Sequence, residues 1–155
     1  MTVPIEFVAM GRPSSVNATS AKKWVWKKIV QDAADAELVR VHAPNPTPGP
    51  CTHDVTVKVF YFPKNRQYID IDNGLKHTID AIAPKPVLHN DKLVQRLVVE
   101  RFALAAGASM KVSILAAPTL AKAVRIATGQ AMGNAPVHVT AVKVEAYAAN
   151  GGALW

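Results

Sequence analysis

The sequence predicts an α+β fold: a single domain in which a mixed β-sheet packs against helices. Three observations lead there. Stretches of period-two alternation are interleaved with stretches of helical period, in the order strand, helix, strand, helix, strand, strand, helix, strand. The 155 residues, 50% of them hydrophobic, are enough to bury one core. One strand pair is joined by a link short enough for a hairpin and others by helices, so the sheet is expected to hold both antiparallel and parallel neighbours.

Val3 to Met10 reads as the opening strand, and Gly11-Arg12-Pro13-Ser14-Ser15-Val16-Asn17 as a turn-rich loop. A helix follows, capped by Thr19 or Ser20, with Val25, Ile29, Ala33 and Ala36 as its expected apolar stripe. Of Trp24 and Trp26, one is expected to face the core and the other solvent, where its ring could stack on a base or on a partner surface. Ala43 to Pro50 holds four prolines in eight residues and forms a stiff exposed connection. In the next strand Val55, Val57, Val59 and Tyr61 alternate with Thr56, Lys58, Phe60 and Phe62, which marks a central strand. Asp72 to Ala83 is predicted as a helix that buries Leu75, Ile79 and Ile82 and stops at Pro84. Leu93 to Leu104 and Met110 to Ala116 form the expected hairpin, Thr119 to Met132 a helix, and Val137 to Tyr147 the last strand.

No apolar run approaches the roughly 20 residues that a membrane span requires. The N-terminus lacks the basic start and apolar stretch of a secretory signal, so a cytoplasmic location is expected. A lone Cys51 can neither close an internal disulfide nor supply a thiolate metal site, and reads as incidental. The formal net charge of +7 favours an anionic partner, nucleic acid first among them.

The carboxylates carry the chemistry. Asp70-Ile71-Asp72-Asn73-Gly74-Leu75-Lys76 is followed by Asp80 and, past a loop, by Asn90-Asp91. Asp70 and Asp72, two apart in extended backbone entering a helix, can point the same way and share a hard cation such as Mg²⁺ (or Mn²⁺), with Asp91 the natural third ligand. Lys76 and Asp80 then lie one and two turns on, so Lys76 either supports the carboxylate site or simply pairs with Asp72 or Asp80. An EF-hand is excluded, because Gly74 stands at loop position five instead of six and Ala81 replaces the bidentate Glu. His77 and His89 read as ordinary surface or loop histidines, since Mg²⁺ prefers oxygen.

Asp70-Ile71-Asp72-Asn73, Lys76, Asp80 and Asp91, together with the Pro13-Ser14-Ser15-Val16-Asn17 loop, resemble the RusA-type Holliday junction resolvases, small endodeoxyribonucleases common in phages and prophages that serve DNA recombination and repair. The resemblance spans about residues 3 to 117. It implies a homodimer, phage- or bacterium-encoded, that nicks four-way DNA junctions symmetrically with Mg²⁺. It also implies Asp70, Asp72 and Asp91 as ligands and Lys76 as the supporting cation, with Asn73, Asp80 and Asn90 in secondary roles. Asn90 departs from the family, where many members carry Asp. Residues 118–155 extend past the match as a helix and strand of the same domain, for dimer contact, DNA contact or sheet completion.

Lys22, Lys23, Lys27, Lys28, Lys64, Arg66, Lys92 and Arg96 are the candidates for holding the DNA backbone. Two other readings are a non-catalytic basic DNA-binding protein and a nuclease for flaps and other branched DNA.

Overall fold

The computed structural model describes residues 4–64, 70–102, 117–129 and 136–149. In chain order the elements are β1 (Ile5–Met10), α1 (Ser20–His42), β2 (Val55–Phe62), α2 (Ile71–Ile82), a 3₁₀ turn (Asp91–Leu93), β3 (Val94–Arg101), α3 (Pro118–Ala127) and β4 (Val139–Ala146). The four strands form one mixed sheet in the order β1-β4-β2-β3, β4 antiparallel to both neighbours and β2 parallel to β3. Met110 to Ala116, and with it the expected hairpin, lies outside the described residues. The segment after residue 117 supplies the strand that bridges β1 and β2, so its last strand completes the sheet.

Both faces of the sheet are covered, which is why every residue of β2 is buried. On one face Val55, Val57, Val59 and Tyr61 meet α1 and α2 through Trp26, Val30, Ala34, Leu38 and Ile82. On the other, Phe60 and Phe62 pack with Phe102 and with Leu120, Ala123 and Ala127 of α3. Phe62 and Phe102 stack with ring centroids 5.1 Å apart. Lys58, on this second face, is buried and reaches Glu145 at 2.6 Å.

Helix α1 runs for 23 residues without Gly or Pro, starts where the Thr19 hydroxyl accepts the Lys22 N–H, and ends at Ala43 before Pro44. Its buried stripe is Trp26, Val30, Ala34 and Leu38, one residue on from the expected Val25, Ile29 and Ala33 and two on from Ala36. Ile29 and Ala33 flank the core, whereas Val25 and Ala36 are exposed. The largest side chain wins: burying the indole of Trp26 removes more apolar area from water than burying Val25, and that fixes the rotation of the helix. Trp24 is correspondingly 65% exposed. Helix α3 begins with Pro118 in its first turn and ends before Gly129, whose φ of 75° only glycine adopts freely, so it stops short of the predicted Met132.

Cys51 is held by its backbone. It is fully buried and forms an isolated parallel bridge with Leu88: its N–H donates to the Val87 carbonyl at 2.8 Å, and the His89 N–H donates to its carbonyl at 2.9 Å. Those bonds fix the chain immediately before Asn90 and Asp91.

Candidate active site

Strands β1 and β2 are both antiparallel to β4 and so run the same way as each other; α1 and α2 each carry the chain from the end of one strand back to the start of the next. Both helices therefore begin at the edge of the sheet where β2 ends. That gathers the Arg12–Asn17 loop, the first turns of α1 and the entry to α2 in one place.

Helix α2 starts one residue earlier than its apolar pattern suggests. Asp70 is the N-cap in extended backbone, while Asp72 already lies in the first turn, so the two do not share a stretch of extended chain. The Asp70 side chain makes no cap bond to the helix backbone; its Oδ2 accepts from the Asn73 amide at 3.0 Å, and the Asn73 N–H donates to the Asp70 carbonyl at 3.1 Å. Asn73 thus holds the Asp70 carboxylate in place. Asp70, Asp72 and Asp91 are all exposed.

Asp91 stands at the other end of the sheet. It opens the 3₁₀ turn that precedes Val94, and Val94 pairs with Val55 at the start of β2. The Asn90 side chain caps this turn by accepting the Lys92 N–H at 2.8 Å, a task that Asn performs as well as Asp. The 12 residues of α2, about 18 Å of helix, separate Asp70 from the level of Asp91. In agreement, no group of three His, Cys, Asp or Glu side chains among the described residues is arranged to hold a metal ion. The oxygen-only donors suit a hard cation, but a single chain brings together Asp70 and Asp72 without Asp91.

Lys76 is 66% exposed and pairs with Asp80 at 3.3 Å, the intrahelical ion pair. Asp80 also receives Lys27 from α1 at 3.5 Å, so it ties the two helices together. His77 is no surface residue: it is 5% exposed, and neither ring nitrogen is hydrogen-bonded among the described residues, though Nδ1 lies 4.0 Å from Asp80. Burial chiefly, then the charges of Lys23, Lys27 and Lys76, hold its pKa below the ordinary value, with Asp80 pulling the other way. Sequence spacing could not reveal this, since position 77 falls beside the expected apolar stripe of α2.

The basic candidates divide. Lys27 and Lys28 are engaged with Asp80 and Asp32. Lys22, Lys64 and Lys92 are exposed, Lys23 and Arg96 are half-buried, and Arg66 lies outside the described residues. Arg12, which sequence reasoning passed over, is exposed at the mouth of a groove of about 800 Å³ that Asp70 and Asn73 also line.

No helix among the described residues is long and apolar enough to cross a membrane. No curated protein matches the chain. The family model for endodeoxyribonuclease RusA matches residues 4–114, which takes in β1, the Arg12–Asn17 loop, both acidic segments and β3. The chain belongs to the RusA family of endodeoxyribonucleases.

Proposed function

We propose that this protein is a Mg²⁺-dependent Holliday junction resolvase that works as a homodimer, cutting a four-way DNA junction by paired phosphodiester hydrolysis in a bacterial or phage-infected cytoplasm. The observation that carries the reading is an exposed acidic entry to α2, with Asp70 held by Asn73, in a chain of the RusA family. Mg²⁺, when bound, supplies a Lewis acid that activates water and offsets charge on the phosphate, and Mn²⁺ can take its place.

The separation of the acidic segments within one chain supports the dimer. Asp70 and Asp72 hold the cation at the entry to α2, and Asp91 of the partner subunit completes the ligand set there. Lys76 extends from the first turns of the same helix, where its exposed ammonium meets the incoming phosphate, and Asp80 holds it from behind. Exposed carboxylates repel a phosphate unless a cation bridges them, so the metal is needed to bring the scissile phosphate onto the carboxylates, while the basic residues outside the site hold the DNA without it. A flap is served by the same residues; two sites in a symmetric dimer favour the four-way junction, which offers two equivalent strands.

Two experiments test this. A labelled four-way junction, matched duplex and flap are incubated with and without Mg²⁺: symmetric nicking of the junction that EDTA abolishes is expected, and cutting undiminished in EDTA refutes the metal. Asp72→Asn and Asp91→Asn are then assayed alone and after subunit exchange. Each alone is inactive. In a mixed dimer one site regains Asp72 and Asp91 from opposite chains, so nicking returns to about a quarter of the parental level, the statistical share of intact sites at free exchange. Two inactive variants that stay inactive when mixed refute the shared site, and near-parental cutting by either one refutes the ligand assignment.

A further inference from the structure

Between the Arg12–Asn17 loop and the first turns of α1 runs the groove of about 800 Å³ that opens against Asp70 and Asn73. Its apolar lining comes from Val25 and Ile29 of α1, with Trp26 beneath them. Val25 is half exposed there, unlike the buried Trp26. Arg12 and Lys22 stand at its rim, and among the described residues neither is engaged in an ion pair, in contrast to Lys27 and Lys28. Ser14, which also lines it, is 8% exposed, and its hydroxyl has no hydrogen-bond partner among the described residues. That oxygen lies behind the wall and not on it, so the groove is read from its aliphatic floor and its two cations.

The walls are fixed in advance. The Gly11 N–H donates to the His138 carbonyl at 2.7 Å, and its φ of 131° turns the chain against Ile29 and Trp26. Farther along, the Ala18 N–H donates to the Ser15 carbonyl at 3.0 Å and the Asn17 N–H to the Ser15 hydroxyl at 3.2 Å. Trp26 Nε1 donates to the Thr78 hydroxyl of α2 at 3.1 Å, locking α1 to the helix that carries Asp70 and Asp72.

Taking the nuclease reading as its basis, we propose that this groove receives one nucleotide unstacked from the strand to be cut. The base lies on the Val25 and Ile29 floor, and its phosphate meets Arg12 and Lys22. A phosphate alone would leave an aliphatic floor unmatched, and stacked duplex DNA offers no base that could reach it. Because Asp70 lines the same groove, the captured nucleotide sets which phosphodiester bond reaches the carboxylates.

The test uses the full-length protein and four-way junctions carrying 2-aminopurine at successive positions around the cut. Binding is measured in EDTA and nicking in Mg²⁺. The groove presents aliphatic groups, so the probe brightens at one position next to the cleaved bond when the parent binds. Val25→Glu, a change on an exposed face that leaves the melting temperature unaltered, loses this rise and raises KM for nicking by at least about tenfold, because it removes an apolar contact and sets a carboxylate beside the bound phosphate. Arg12→Gln weakens binding and lowers its salt dependence. A parent that nicks the junction but brightens no position overturns the groove assignment and leaves the nuclease reading standing, as does a Val25→Glu protein with parental brightening and KM. A parent that binds the junction and never nicks it overturns the nuclease reading, and the groove assignment falls with it.

Discussion

Trp26 gives the sharpest test of how the two helices that frame the candidate site are held. Its side chain is 1% exposed, and Nε1 donates at 3.1 Å to Thr78, whose hydroxyl in turn donates to the Gly74 carbonyl at 2.9 Å. Trp26→Phe removes one buried hydrogen bond, costing about 1 kcal/mol, and leaves a gap where the larger ring packed, costing about 1–2 kcal/mol more. The sum of about 2–3 kcal/mol lowers Tm by about 4–12 °C for a domain of this size. Trp24, two residues away and 65% exposed, provides the control: Trp24→Phe changes stability by less than about 0.5 kcal/mol. Pairing Trp26→Phe with Thr78→Val in a double-mutant cycle returns a coupling of about 1 kcal/mol, because each change alone breaks the same bond. Urea and thermal unfolding of the four variants beside the parent supply the measurements. Equal losses for Trp24→Phe and Trp26→Phe, or a coupling of zero, would refute the reasoning.

Further expectations concern charge. His77 is held neutral by burial, so the unfolded chain binds the proton more readily; the stability due to the neutral ring is whole above pH 6.5 and is lost as pH falls from there through the lower folded-state pKa. His77→Leu, which breaks no hydrogen bond, therefore gains on the parent as melts are taken from pH 8 to pH 5, and a constant difference between the two would count against this account. For Glu145, burial opposes ionisation, but the hydrogen bond and charge of Lys58, then of Lys143, outweigh it and keep the carboxyl below its ordinary value. Its stabilisation is present above pH 4.5 and disappears as pH drops through the folded-state value. Glu145→Gln costs about 1 kcal/mol at pH 7 and flattens that acid limb, since the amide oxygen can still accept from Lys58 but the charge that strengthened the 2.6 Å contact is gone. On junction DNA, Lys22→Ala with Lys23→Ala lowers the salt-dependence slope by about 1.8 if both meet phosphates; Lys27→Ala with Lys28→Ala lowers it less, as both lysines are already engaged by carboxylates. Gel shifts over a salt series distinguish the pairs, and equal slopes for both would remove the distinction.

Local patterning determined much of this molecule. Alternation placed β2 as a central strand, Pro84 and the Leu75, Ile79 and Ile82 spacing placed α2, and the acidic pattern with Lys76 and Asp80 pointed to the family. These features are legible because strand and helix periods, helix stops and ligand chemistry depend on neighbours in sequence. What the tertiary structure decided depends on partners distant in sequence. The rotation of α1 follows from where a tryptophan ring fits against the sheet, and the burial of His77 from the packing of α2 on α1. The backbone of Cys51 found its partner only when Leu88 returned beside it. Above all, three carboxylates that read as one constellation along the chain are divided between the two ends of a parallel β2–α2–β3 crossover, because a helix between parallel strands must carry its two ends to opposite edges of the sheet.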